Sequence, residues 1–276
     1  RTSAGASTVS RWSSRRNSDA CREAAQVITQ FYSIRTVDEA LACVEAGADH
    51  LGLVPPQGLP GEIPLATMRD IVVAVGGRAR CVALSIHTNA AELRAMVEAV
   101  QPDILHLCPL AHEITPEILR DLRRELPPNL PIMQAVSVVG SESVAEAIAY
   151  AAVADYLILD TQAPSIPGVG ASGATHDWTI SRAIVERVSV PVILAGGLSP
   201  ENVAEAIHTV RPWGVDSFTH TNQRTPDGRI EKDLNRVRAF VNAARAVVVA
   251  DVPPPGGRIV AILGLEVGAP GADRGE

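Results

Sequence analysis

Val192-Ile-Leu-Ala-Gly-Gly-Leu-Ser-Pro-Glu-Asn-Val203 joins a buried apolar strand to two glycines and then to a helix start. Upstream, Tyr156-Leu-Ile-Leu-Asp160 is a second apolar strand, and it ends on a single carboxylate. A Gly-Gly turn has no Cβ in the way, so backbone N–H groups can approach an anion closely. The helix that opens behind it adds partial positive charge. A carboxylate at the C-terminal end of a parallel strand stands where barrel enzymes place their reacting groups. Together the two runs predict a pocket that holds a phosphorylated small molecule beside an acid.

The same alternation extends in both directions. Strands are predicted at Val27–Ile34, His50–Val54, Arg80–Ile86, Asp103–Cys108, Ile132–Val138, Tyr156–Asp160, Val192–Ala195 and Gly214–Thr219. Ala-rich amphipathic stretches follow them, at Val37–Ala46, Pro64–Val75, Ala90–Val100, Thr115–Glu125, Ser141–Ala152, Ile180–Val188, Pro200–Val210 and Lys232–Ala246. Thr36, Asn89, Thr115 and Ser199 stand where helix N-caps are expected. Strand and helix in strict alternation predict an α/β fold, a (β/α)8 TIM barrel, better than a doubly wound sheet. No Gly-x-Gly-x-x-Gly follows the first strand, which weakens a dinucleotide fold. A small-or-turn residue followed by aspartate recurs at Ala46-Gly-Ala-Asp49, Gln101-Pro-Asp103, Val153-Ala-Asp155 and Gly214-Val-Asp216. That recurrence reads as a repeated structural unit rather than as chemistry.

Composition narrows the function classes. The 276 residues are 46% hydrophobic but only 3% aromatic, so the core must be built from Ala, Val, Ile and Leu. A formal charge of −7 gives no support for a nucleic-acid partner. No apolar run reaches membrane-spanning length, so no membrane partner is expected. Lys232 is the single lysine, in a segment that reads as solvent-facing helix, which argues against Schiff-base chemistry. Cys21, Cys43, Cys81 and Cys108 fit neither a CxxC pair nor a zinc framework, and read as reduced, mostly buried thiols of a cytoplasmic protein. Residues 1–26, rich in Ser, Ala and Arg, read as a disordered or helical extension rather than a targeting segment. The barrel is expected over residues 27–248, and residues 249–276 read as a tail that opens on a Pro-Pro-Pro-Gly-Gly linker.

Larger motifs point to a family. They are Arg35-Thr-Val-Asp-Glu-Ala-Leu41, Glu45-Ala-Gly-Ala-Asp49, Leu157-Ile-Leu-Asp160, Gly170-Ala-Ser-Gly-Ala-Thr-His-Asp-Trp178, Leu194-Ala-Gly-Gly-Leu-Ser-Pro-Glu-Asn-Val203 and Arg211-Pro-Trp-Gly-Val-Asp216. In this order and spacing the chain resembles the phosphoribosylanthranilate isomerase family from about Val27 to Arg245. The resemblance implies an Amadori rearrangement, in which an aminoaldose phosphate opens and a proton leaves C2 to give a ketose. That chemistry needs a general acid and a general base. The resemblance places the acid at Asp160. The family's base is a cysteine in Lys-Ile-Cys-Gly, and the matching stretch here is Gln30-Phe31-Tyr32-Ser33, with Tyr32 in the cysteine's place. A phenol with an ordinary pKa of about 10 is a poor base near neutrality. Other strand ends depart too: His106-Leu-Cys-Pro109, Ser137, Gly58–Glu62, Thr219–Gln223 and Ala174 replace the family's residues. Polar groups exchanged for other polar groups suggest a rebuilt site, so efficient turnover of the family's substrate is not expected; a different lyase or metal-assisted enzyme on the same barrel, or a non-catalytic ligand-binding homologue, are the alternatives.

The candidate catalytic residues are therefore Asp160, His106 and Tyr32. The candidate substrate-binding residues are Gly173, Gly196, Gly197, Thr219, His220, Thr221 and Asn222. Each has a structural alternative: a loop-fixing aspartate, a tight turn at the glycines, polar lining at the histidines. His87, His106 and His220 are expected near one mouth, but without ligand spacing, so neither a metal nor another cofactor is expected.

Overall fold

A computed structural model describes residues 26–109, 113–161 and 173–247. Eight parallel strands close on themselves: β1 (Ile28–Tyr32), β2 (His50–Leu53), β3 (Arg80–Ser85), β4 (Ile104–Leu107), β5 (Ile132–Ser137), β6 (Tyr156–Asp160), β7 (Val192–Leu194) and β8 (Gly214–Ser217), with β8 pairing back to β1. Helices α1 (Val37–Glu45), α2 (Leu65–Val75), α3 (Ala90–Val100), α4 (Pro116–Glu125), α5 (Glu142–Ala151), α6 (Trp178–Val185), α7 (Val203–Val210) and α8 (Leu234–Arg245) form the outer ring. This is the (β/α)8 barrel that the alternation predicts.

The apolar residues divide into two shells. One lies between strands and helices, where Phe31 of β1 meets Phe240 of α8 edge-on at 5.4 Å. The other fills the barrel axis with Ile28, Val82, Ile104, Met133, Ile158, Ile193 and Trp213. Each fully buried side chain of this size contributes about 1.5–3 kcal/mol. A strand buried on both faces needs no polar alternation, which is why these strands read as continuous apolar runs.

Three of the four recurring aspartates have one shared role. Asp49, Asp103 and Asp155 each precede an even strand and accept the N–H of a residue in the preceding odd strand: Thr29 at 2.9 Å, Cys81 at 2.9 Å and Ile132 at 2.8 Å. Each carboxylate locks the register of one βαβ unit. Asp216 stands inside β8 and takes no part in this pattern.

Local caps behave as their chemistry requires at Thr36, Asn89 and Thr115, whose side chains accept first-turn N–H groups. Ser199 is a correction. Its hydroxyl accepts Glu201 N–H at 3.2 Å within a turn, while α7 starts later, behind Asn202. Asp177 and Asp233 cap α6 and α8.

Lys232 is a second correction. It belongs to neither an exposed face nor a helix. After β8, a short 3₁₀ turn (Thr219–Thr221) leads into an antiparallel hairpin of β9 (Asn222–Arg224) and β10 (Ile230–Lys232). Lys232 is 5% exposed and its Nζ has no hydrogen-bond partner. Glu39 of α1 explains the burial: its two carboxylate oxygens accept the N–H groups of Lys232 and Arg35, both at 2.6 Å. That bridge pulls the hairpin onto the barrel.

Among the described residues no helix is long and apolar enough to cross a membrane. Cys43, Cys81 and Cys108 are buried and lie outside any disulfide. Cys21, nearly all of the N-terminal extension and the whole C-terminal tail lie outside the described residues.

Candidate functional site

The C-terminal ends of β6, β7 and β8 open into a cleft lined by Asp160, Gly173, Gly196, Gly197, Asp216 and Thr219 among others. The register explains the grouping. Ile158 pairs with Ile193, and Ile193 with Gly214, so these three share one inward row. Side chains alternate with a period of two, so the next inward row is Asp160, Ala195 and Asp216. Two carboxylates thus flank one methyl group at the mouth of the barrel.

Burial pushes the Asp160 carboxyl up to about 7, opposed by the Thr161 N–H that its Oδ1 accepts at 2.7 Å. Burial likewise raises Asp216, to about 8, and the neighbouring Asp160 charge adds to it; Gln30 and Lys232 work the other way. Asp216 is 6% exposed, and its Oδ1 has no hydrogen-bond partner.

The glycine turn sits beside this pair. Gly196 and Gly197 have φ of 84° and 62°, in the left-handed region. A Cβ on Gly197 would stand 2.7–2.9 Å from backbone atoms of Gly173, Ala174 and Thr175. Close packing of the 173–175 segment therefore accounts for this glycine, and the same packing brings Gly173 to the cleft. His220 Nε2 lies 3.3 Å from Gly173 O, and Thr219 faces the same glycine. His176 ties the loop down, with Thr161 Oγ1 at 3.0 Å and Ser181 Oγ at 2.7 Å. Arg236 donates from Nε to His220 O at 2.5 Å and holds the loop after β8 from behind.

Other candidates lie elsewhere. The Thr221 hydroxyl is buried and donates to Ser217 O at 3.2 Å. Asn222 Nδ2 donates to Phe218 O at 2.8 Å. Both hold the turn together beneath the cleft rather than lining it. His87 is half exposed and pairs with Glu92 at 3.1 Å. Among the described residues no three His, Cys, Asp or Glu side chains gather closely enough to hold a metal ion.

Tyr32 and His106 form a unit of their own. The Tyr32 hydroxyl meets His106 Nδ1 at 2.5 Å across the barrel interior. Both residues are buried, at 6% and 4% exposure. Burial holds His106 down to about 3, so its imidazole is neutral. Burial, followed by the charges of Asp216, Cys108 and Asp160, holds the Tyr32 phenol well above its ordinary value. The tyrosinate needed for proton abstraction is thus strongly disfavoured. The Tyr32 ring lies over Gly52, where a Cβ would fall inside it. Tyr32→Phe is expected to leave turnover within about threefold. It should cost about 1–3 kcal/mol of stability, because it strands a buried ring nitrogen. Steady-state rates and urea unfolding check both halves.

Asp216 and Lys232 are the residues that sequence reasoning misjudged. The signal for Asp216 was its parity: Gly214, Asp216 and Phe218 alternate inward, so the aspartate had to face the axis.

Comparison with known proteins agrees with this architecture. The family profile described as N-(5'-phosphoribosyl)anthranilate (PRA) isomerase matches residues 32–243. The N-(5'-phosphoribosyl)anthranilate isomerase of Rhodopseudomonas palustris strain BisA53 is 36% identical over 212 residues, covering 76% of this chain and 91% of that protein. The Thermotoga maritima phosphoribosyl anthranilate isomerase structure superposes with a TM-score of 0.67 at 26% identity, covering 80% of this chain and all of that one. A phosphoribosyl anthranilate isomerase solved in complex with reduced 1-(o-carboxyphenylamino)-1-deoxyribulose 5-phosphate matches in fold, with a TM-score of 0.65, 24% identity and coverage of 80% of this chain and all of that one. On the strength of the profile and the sequence identity, the chain belongs to the N-(5'-phosphoribosyl)anthranilate isomerase family.

Proposed function

We propose that this chain converts a phosphorylated aminoaldose to its ketose by an Amadori rearrangement, with Asp160 as an acid–base group. N-(5'-phosphoribosyl)anthranilate, named for its relatives, is the reference substrate. The observation that carries this reading is a carboxyl brought to about 7 at the wall of a cleft whose other wall is a glycine turn. A group titrating near neutrality can both give and take a proton at useful rates. The turn at Gly196–Gly197, with Gly173 and Thr219 beside it, supports a phosphate site after β7 and β8, a common location in this fold. His220 adds a side chain at the same edge. The working unit is the barrel over residues 27–248. Its buried cysteines outside any disulfide, Cys43, Cys81 and Cys108, support a reducing, cytoplasmic setting.

The purified chain should turn over N-(5'-phosphoribosyl)anthranilate formed in situ and restore growth of a tryptophan auxotroph lacking this isomerase. Failure in both overturns the proposal. Gly197→Ala tests the phosphate end. Its Cβ meets backbone, at a φ that already disfavours a side chain by roughly 1–2 kcal/mol. Inhibition by inorganic phosphate should weaken about tenfold or more, a change of about 1.4 kcal/mol. Unchanged inhibition moves the phosphate elsewhere.

A further inference from the structure

Asp216 is bonded unlike the aspartates that share its motif. Asp49, Asp103 and Asp155 spend a carboxylate oxygen on a strand N–H. Asp216 leaves Oδ1 unpartnered, at 6% exposure, in the wall of the cleft. A buried carboxylate oxygen without a donor is costly to the fold, and its position at the reacting end of the barrel gives that cost a purpose. Adjacent strands lie about 4.8 Å apart. Asp160 and Asp216, two strands apart in one inward row, are therefore about 10 Å apart at Cα, with Ala195 between them. Ala195 is fully buried and carries nothing beyond a methyl group. Around Asp216 stand Gln30 and Tyr32 from β1, Cys108 after β4, Asp160 from β6, His220 beyond β8 and Lys232 from β10.

The geometry points to Asp216 as the second catalytic carboxylate, sharing one proton with Asp160 across Ala195 and supplying the proton-transfer group that Tyr32 does not. This rests on the isomerase reading above. Like charges at one site resist ionising together, so a single proton serves both. It resides on Asp216, because the Thr161 N–H favours the charged form of Asp160. Asp216 gives that proton to the ring oxygen as the C1–O bond breaks, and the nitrogen lone pair forms the C1=N bond. Asp160 then takes the proton from C2. The C–H electrons become the C1=C2 bond, and the C=N electrons return to nitrogen. The enolamine regains a proton at C1 from Asp160 while its 2-hydroxyl returns one to Asp216. The product is the ketose, and the pair is restored.

The test combines turnover with a direct titration. In Asp216→Asn, kcat for N-(5'-phosphoribosyl)anthranilate should fall at least a hundredfold, with affinity for reduced 1-(o-carboxyphenylamino)-1-deoxyribulose 5-phosphate held within tenfold. Asp216→Glu should recover part of the loss. Infrared spectra of the wild type, taken between the Asp160 value of about 7 and the Asp216 value of about 8, should show a protonated carboxyl band that is lost in Asp216→Asn at the same pH and moves to lower pH in Asp160→Asn. A kcat within threefold of wild type, or a band that survives Asp216→Asn, overturns the proposal. A wild type that carries the shared proton but leaves the aminoaldose unchanged overturns the substrate reading and upholds the pair.

Discussion

Asp160→Asn should abolish isomerisation while leaving the ligand bound. The substitution keeps the shape of the side chain and removes its ionisable proton. The amide oxygen of the new side chain would still accept the Thr161 N–H that Asp160 accepts at 2.7 Å, so the end of β6 should hold its place. A positioned acid or base contributes on the order of 10²- to 10⁴-fold to a rate. The expected loss in kcat spans that range. Affinity for the reduced deoxyribulose phosphate should stay within about tenfold, or about 1.4 kcal/mol, because the glycine turn holding the phosphate is untouched. Paired kcat and binding measurements decide it. Near-normal turnover would make Asp160 a loop-fixing residue and leave Asp216 as the carboxylate to pursue.

Stability should fall as the pH rises above neutrality, and Asp216→Asn should remove much of that fall. Asp216 has a folded value of about 8 against 3.8 for the ordinary side chain, so the native state holds its proton more tightly. Its contribution is fully present below 3.8 and is lost as the pH rises through about 8. Asp160 has the same sign, with a folded value of about 7. His50, His106 and His176 have the opposite slope. The first two are held down to about 3 and His176 to about 4 from an ordinary 6.5, so the unfolded chain binds the extra protons between those values. From about pH 4 to 6.5 the three imidazoles therefore outweigh the two carboxyls by one proton. Above 6.5 the imidazoles fall silent and the carboxyl slope stands alone up to about pH 8, where Lys232, held down to about 8 from 10.5 by burial, begins to oppose it. At about 1.36 kcal/mol per pH unit, Asp216 accounts for a drop of about 2 kcal/mol between pH 6.5 and its folded value near 8. Urea unfolding at those two pH values, in wild type and in Asp216→Asn, measures it. A wild-type profile flat above 6.5 would mean that Asp216 is not held protonated. Greater stability of an inactive variant is the trade-off expected when a site is built from uncomfortable groups.

What could be read from the chain, and what could not, divides along the range of the forces involved. Thr36, Asn89 and Thr115 were legible as caps because a cap is a contact across three residues. Ser199 carried the same signal and did not cap its helix, because the following Pro200-Glu201 first makes a turn. The barrel itself was legible in its doubly buried strands. Lys232 was not: Asn222–Arg224 and Ile230–Lys232 have no apolar alternation, and the lysine is buried by Glu39, far away in sequence. Asp216 was hidden by its own motif. Gly-Val-Asp216 resembles the runs that end at Asp49, Asp103 and Asp155, yet it sits within a strand rather than before one, and that offset turns a register clamp into a wall of the cleft.

Tyr32, Gly52 and His106 behave as one indivisible part. A thiol placed at position 32 alone would vacate the space of an aromatic ring above Gly52 and leave a buried imidazole with neither nitrogen paired. Such a change costs a cavity, plus about 1–3 kcal/mol for the stranded acceptor. Exchanging any one of the three alone is therefore expected to cost more than exchanging all of them together, so the aromatic plug latches three strands to one another.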